Sequence, residues 1–227
     1  MREFPVFGIA RASFQLERVD YEAPESSGRQ GGVQAGWPRW SAEWTLGTLT
    51  VDQSDEWEAM LTAQRKAQRL ALARDVRRLY PRAYPNGFAG LTRAGGGAFD
   101  GSATSWSVTV DAEGDCHLTL SGLPASLALS RLDYVGFKWV SAGGTSGVYD
   151  RFTMVRLSSP VVASVGGVAI ATVEPALPTP VPAGAIAYLD RPACLMKLVS
   201  DQTQIAETDR LMTIKGTKVS AIQVLLP

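Results

Sequence analysis

The segment Trp37-Pro38-Arg39-Trp40-Ser41-Ala42-Glu43-Trp44 places three tryptophans within eight residues, half of the six in the chain. From Trp40 the chain alternates. Trp40, Ala42, Trp44 and Leu46 fall on one side, and Ser41, Glu43 and Thr45 on the other. Successive side chains of a strand point to opposite faces, so this pattern predicts a strand with one buried face. Aromatic rings suit it because they pack broadly across a pleated surface. Such a face needs a cover, and one follows directly. Asp52-Gln53-Ser54-Asp55-Glu56 can open a helix, with Asp52 or Ser54 accepting from free N–H groups and the acids matching the helix dipole. Trp57, Met60, Leu61, Gln64 and Ala67 then recur at helical spacing, while Glu58, Arg65, Lys66 and Arg69 take the other side. The expectation is a helix of about four turns lying on a sheet through one apolar stripe. None of these residues forms a catalytic set. The feature points to a module that assembles with copies of itself rather than to an enzyme.

Around this unit the signals are weaker. Val6 to Leu16 reads as a first strand. Glu22 to Gly36 is rich in Gly, Ser, Gln and Pro without periodicity, which suggests a long loop or the tip of a hairpin. Leu70 to Ala73 reads as the next strand. Arg65 to Arg82 holds seven basic residues and one acid, Asp75. It reads as a solvated face, or as a charged contact with a neighbouring subunit or a nucleic acid. It lacks the aromatic interleaving of a single-strand binder. Gly95-Gly96-Gly97 has no following Lys-Ser/Thr or helix, so it is not a phosphate cradle and reads as a linker.

After Phe99 the texture changes to period two. Trp106, Val108 and Val110 share a face, as do Cys116, Leu118 and Leu120, and Val135, Phe137 and Trp139. Tyr149 to Leu157, Val168 to Val173 and Ala185 to Leu189 add further short strands, and the set fits a small barrel. Pro175, Pro178, Pro180 and Pro182 form an extended connection. From Pro192 the chain returns to a sheet, with Cys194, Met196 and Leu198 on one face. A hairpin of Leu211 to Ile214 and Val219 to Leu226 is expected to turn at Lys215-Gly216-Thr217-Lys218. Residues 1–95 offer too few clear strands to cover the helix alone, and the ring-forming domain is read as beginning with residues 1–98. The barrel, residues 99–190, is therefore read as an insertion into a domain completed by residues 191–227.

Composition narrows the function. Basic and acidic residues balance at 22 each, so no global field draws the chain to nucleic acid or membrane. No apolar run approaches the ~20 residues that span a bilayer, and the first residues do not look like a signal peptide, so a cytoplasmic origin is expected. The two cysteines, Cys116 and Cys194, read as buried thiols. His117 is the sole histidine, and as a strand neighbour of Cys116 it points to the opposite face. Neither a Cys/His pair nor a zinc site follows. Acidic pairs such as Asp111/Glu113 and Glu56/Glu58 fit a turn and a solvated helix face. No cofactor is implied.

The order of these pieces resembles distal tail proteins of long-tailed, siphovirus-type bacteriophages. Three stretches carry the resemblance. One is Trp37-Pro38-Arg39-Trp40 through Thr50. The second is Asp55-Glu56-Trp57-Glu58-Ala59-Met60-Leu61, continuing to Arg74-Asp75-Val76-Arg77-Arg78. The third is Leu132-Asp133-Tyr134-Val135-Gly136-Phe137 with Val173-Glu174-Pro175-Ala176-Leu177-Pro178 and Pro182-Ala183-Gly184-Ala185. The resemblance implies a mainly β chain: a tail-tube-like β-sandwich with one flanking α-helix, plus a small inserted OB-like β-barrel. It implies a structural virion protein forming a hexameric ring at the tail tip. Its partners would be the tail tube protein, the tail-tip hub protein and tail fibre or receptor-binding proteins, after assembly in the host bacterial cytoplasm. The Gly-rich segment Glu22 to Gly36 would match the long hairpin of tail-tube proteins, although it lacks their alternation.

Two further readings stand beside this one. The barrel could be a carbohydrate- or single-strand-nucleic-acid-binding module, with Trp106, Trp139 and Tyr149, near Phe137, as a stacking platform. An enzyme is disfavoured by the single histidine. For the ring, Trp40 and Trp44 are expected under the helix. Trp37, Arg77 and Arg78 are the candidate subunit contacts.

Overall fold

The computed structural model describes residues 2–18, 20–24, 30–34, 36–65, 68–140, 150–178, 180–204 and 216–225. The chain runs through β1 (Arg2–Glu3), β2 (Ile9–Glu17), β3 (Asp20–Pro24), β4 (Gln30–Gln34), β5 (Arg39–Leu46), α1 (Val51–Ala63) and β6 (Ala71–Ala73). It continues through β7 (Ser105–Val110), β8 (Cys116–Ser121), β9 (Ala128–Leu129), β10 (Tyr134–Trp139), β11 (Arg151–Leu157), β12 (Val161–Val162), β13 (Ala169–Glu174) and β14 (Ile186–Tyr188). The last strands are β15 (Cys194–Leu198) and β16 (Lys218–Gln223). The structure is mainly β. Its described residues form two six-stranded sheets, two two-stranded ladders and one α-helix.

The first sheet has the order β1-β6-β15-β16-β5-β2. The tryptophan strand is β5, and its burial alternates residue by residue as the pattern predicts. Trp40, Trp44 and Trp57 are all fully buried in one core with Phe4, Phe14, Leu49 and Met60. Helix α1 begins earlier than expected. Its cap is Thr50, whose hydroxyl accepts from Gln53 N at 3.4 Å while Gln53 Oε1 accepts from Thr50 N at 3.1 Å. This reciprocal box satisfies two orphan groups, which neither Asp52 nor Ser54 could do alone. Asp52 falls in the first turn, and Ser54 is buried. The Trp57 indole donates to Phe7 O at 3.2 Å and ties the helix to the chain ahead of β2. Of the expected stripe, Gln64 is the buried C-cap, and Ala67 lies outside the described residues.

The C-terminal strands sit in the middle of this sheet. β15 pairs with β6 and with β16, and β16 pairs with β5. The expected strand Leu211 to Ile214 and Lys215 lie outside the described residues. The glycine-rich segment is a paired hairpin, since β3 pairs antiparallel with β4 from Asp20↔Gln34 to Pro24↔Gln30. Alternation was the wrong test there. The ladder is made by backbone groups, and it extends the β2–β5 pairing that already brings both chain segments together. Beyond each other, β3 and β4 have no strand partner among the described residues.

The second sheet has the order β14-β10-β11-β13-β8-β7, with every strand drawn from residues 105–188. It curls far enough for the segment before β7 to reach β14 at the opposite edge. Ala103 N donates to Ala187 O at 2.9 Å, and Leu189 N to Gly101 O at 2.7 Å. A short β9–β12 ladder lies beside it, its strands too brief to show a period in sequence. The core is largely aliphatic, with Leu118, Leu120, Leu123, Leu127, Leu129 and Val155 around Phe137.

The triple glycine is a tight turn rather than a linker. Thr92 bridges Ala98, Arg93 N donates to Gly97 O at 2.9 Å, and Gly96 and Gly97 take φ of 90° and 86°. Only glycine adopts such angles without strain. Tyr80, Tyr84, Phe88 and Leu91 pack on the second core, so the chain crosses to that core before residue 80 and not at the expected 98/99 step.

Candidate subunit interface and ligand platform

Directly after β6 the chain turns, with Arg78 N donating to Asp75 O at 2.9 Å. The turn brings two carboxylates and two guanidinium groups together. Asp75 is buried. It accepts from Arg77 Nε and Nη2, both at 2.9 Å, from Arg77 N at 3.1 Å, and from the Tyr134 hydroxyl at 3.0 Å. Asp133, also buried, accepts from Arg78 Nη1 at 3.1 Å, Arg82 N at 3.1 Å and Ser130 N at 2.7 Å. Buried carboxylates persist when paired and hydrogen-bonded in this way. The hydrogen bond to Asp75 raises the Arg77 guanidinium above its ordinary range. Burial first, and the Asp75 charge second, raise the Tyr134 hydroxyl well above its ordinary range.

Between these arginines is an open cavity of about 400 Å³, lined by Val76, Arg77, Arg78, Tyr80, Arg82 and Pro85 among others. Arg77 remains 52 % exposed despite its bidentate bond, whereas Arg78 is 25 % exposed. Arg82 is exposed, and its guanidinium has no hydrogen bond or ion pair among the described residues. The site therefore holds more positive than negative charge at its mouth, with both acids used up inside.

A second polar cluster joins the two sheets. The Trp40 indole donates to Met154 O at 2.8 Å, Trp40 N donates to Gln223 Oε1 at 3.0 Å, and Gln223 Nε2 donates to Thr153 Oγ1 at 2.8 Å. Tyr134 packs edge-on against both Trp40 and Phe14. With Asp75–Tyr134, these contacts lock β10 and β11 of the second sheet onto the first core. Trp37 lies outside this packing. It precedes β5, is 44 % exposed, and Pro38 beside it is buried.

The expected stacking platform is not brought together. Trp139 is only 8 % exposed and lies in the second core. Trp106 is half-buried, packs edge-on against Phe137 at 5.0 Å, and spends its indole N–H on Ala185 O at 2.6 Å. Tyr149 lies outside the described residues. Both tryptophans face inward because their strands alternate with aliphatic neighbours, which made them core positions.

His117 and Cys116 lie on opposite faces as expected. His117 sits between Asp111 and Thr172, with Nε2 2.9 Å from Asp111 Oδ2 and Nδ1 3.2 Å from Thr172 Oγ1. The His117 hydrogen bond, then the backbone of Asp115, holds the Asp111 carboxyl below its ordinary value. Cys116 and Cys194 are buried free thiols, each pushed up by burial. Among the described residues no group of three or more His, Cys, Asp or Glu side chains could hold a metal ion. No described helix is long and apolar enough to cross a membrane.

Sequence reasoning named Arg77 and Arg78 but missed that Asp75, Asp133 and Tyr134 organise them. The available signal was an isolated acid shortly before each of two structured positions, two residues ahead of Arg77 in Asp75-Val76-Arg77 and directly ahead of Tyr134 in Asp133-Tyr134. Nothing in the linear order joined the two. Compared with protein-family models and with curated proteins, the chain matches none.

Proposed function

We propose that the chain is a structural protein of a bacteriophage tail tip. It assembles as a hexameric ring that links the tail tube to the tail-tip hub and supports fibres or receptor-binding parts. In this reading the first sheet with α1 is a tail-tube-like ring domain. Residues 1–98 and 191–227 supply it, apart from the stretch after residue 79 that packs on the second core. The curled second sheet is an inserted OB-like barrel carried on the ring's outside.

The observation that carries the reading is the β3–β4 hairpin. It extends from the β2–β5 edge of the first sheet and has no third strand among the described residues. A two-stranded ribbon is marginal in water, and unpaired strand edges attract other strands. A neighbouring copy in a ring supplies what the hairpin lacks. Exposed Trp37, next to the base of this hairpin, suits the same contact, since tryptophan is enriched where interfaces bury it. Rings that close by rotation require two different patches on each copy.

Electron microscopy of the purified protein, with sedimentation over a range of concentrations, tests the proposal. Closed six-fold rings are expected, and Trp37→Ala is expected to weaken them while leaving the melting curve unchanged. A chain that stays monomeric at high concentration overturns the reading.

A further inference from the structure

Helix α1 buries Trp57, Met60 and Leu61 against the first sheet and turns Asp52, Asp55, Glu56 and Glu58 outward. All four carboxylates are exposed, and none has an ion pair among the described residues. The helix carries no basic residue from Val51 to Ala63. Asp52/Glu56 are four apart and Asp55/Glu58 three apart, spacings at which like charges repel on a helix. Only Asp52 is placed to gain from the dipole of the first turn. Of the remaining acids, Asp55 and Glu58 line an open hollow with Arg2, and Glu56 has no basic neighbour on its own helix.

Elsewhere on the same chain is the opposite arrangement. Arg77, Arg78 and Arg82 line a cavity of about 400 Å³ whose own acids, Asp75 and Asp133, are buried and already saturated. Arg131 stands next to it, its carbonyl accepting from Arg78 Nη1 at 3.3 Å and its side chain exposed. Guanidinium groups present planar forks that match carboxylates. Each copy thus has one concave basic patch and one exposed acidic helix face, on different elements. The chain as a whole is neutral, with 22 residues of each sign, so the two patches are complementary without a net field.

We propose that the arginine cavity of one copy receives the acidic outer face of helix α1 of the next copy. The inference rests on the ring reading and names the contact that would propagate it. The two patches differ, so the contact is heterologous. It runs head to tail and closes only when rotation returns the last helix to the first cavity. Because its charges are partly exposed, it steers and selects more than it binds, and it weakens with salt.

The test uses two charge-reversed forms of the full chain. Arg82→Glu with Arg131→Glu reverses the rim of the cavity and leaves the Asp75 and Asp133 bonds intact. Asp55→Arg with Glu56→Arg and Glu58→Arg reverses the helix face, leaving Asp52 as the one acid of the four. Each form alone is expected to raise the apparent dissociation constant of self-association about tenfold or more, read by sedimentation at low salt. Mixing the two forms is expected to restore assembly. The basic helix of one then meets the acidic cavity of the other, and the basic cavity meets the acidic helix, in an alternating ring. Restoration by mixing is not produced by misfolding or by an unspecific loss of charge. If the unaltered chain assembles and the reversed forms assemble equally well, or if mixing fails to restore them, the contact is overturned and the ring reading stands. If the unaltered chain never assembles, the ring reading falls and takes this contact with it.

Discussion

The first six-stranded sheet takes strands from residues 2–46, 71–73 and 194–223, so its middle is completed by the last part of the chain. The second takes all six from residues 105–188. Their cores differ too. The first is built on large rings, with Phe4 5.0 Å from Trp44 and Phe14 5.6 Å from Trp40, roofed by Trp57. The second is filled mainly by leucine, valine and alanine around Phe137. The contrast teaches that the two bodies stand at different distances from independence. Closing long chain loops costs entropy before the distant contacts return anything, so the first sheet depends on the second having brought the chain ends together.

The largest expected effect breaks this comparison directly. Removing residues 191–227 takes β15 and β16 out of the centre of the first sheet, leaving β6 paired with β1 alone and β5 with β2 alone. The cooperative transition of that sheet is expected to disappear, with its tryptophan fluorescence shifted toward that of exposed indole. A fragment of residues 79–190 is expected to keep a cooperative melt. A truncated chain that still buries Trp40 and Trp44 would mean that the N-terminal strands suffice.

Next in size is Trp44→Ala, expected to cost about 3–5 kcal/mol as a buried ring replaced by a cavity. Calorimetry should place the whole loss in the first sheet's transition and leave the second's in place. Equal loss in both would show that the sheets unfold as one unit. A smaller effect is expected from Asp75→Asn, which keeps the shape but removes the charge that Arg77 grips at two points. The cost should be about 1–3 kcal/mol, with the two transitions moving apart as the Asp75–Tyr134 link weakens.

The smallest effect belongs to the second sheet alone. The Asp111 carboxyl is held low, chiefly by His117. A depressed carboxylate stabilises the fold above its unfolded value of about 4 and loses that contribution as pH falls through the lowered folded value. Asp111→Asn should therefore flatten the acid limb of the second transition below about pH 4 while leaving the first unchanged. An unaltered acid limb would show that the hairpin pair carries no linkage.

Strong periodic segments were legible without a structure. The β5 alternation, the α1 stripe through Trp57, Met60 and Leu61, and the short strands after Ser105 all follow from side chains sorting onto a buried and a wet face. The misses share one cause. The Gly-rich hairpin pairs through its backbone, the Thr50 cap depends on a reciprocal bond to Gln53, and the glycine turn depends on positive φ. None of these leaves a hydrophobic period. The expected platform failed because a tryptophan on an alternating strand reads the same whether its face meets ligand or core.

Local pattern was enough for the mainly β character, for helix α1 and for the buried tryptophan face, because each depends on residues within a few positions of one another. What the tertiary structure alone decided is placement. It set β15 and β16 between strands from the other end of the chain, and it joined Asp75 to Tyr134 across 59 residues of sequence. It also gathered the arginines around an open cavity while turning the acids of α1 away on another element. Those arrangements rest on long-range backbone pairing and on buried charge finding its partner, and neither has a signature in residue order.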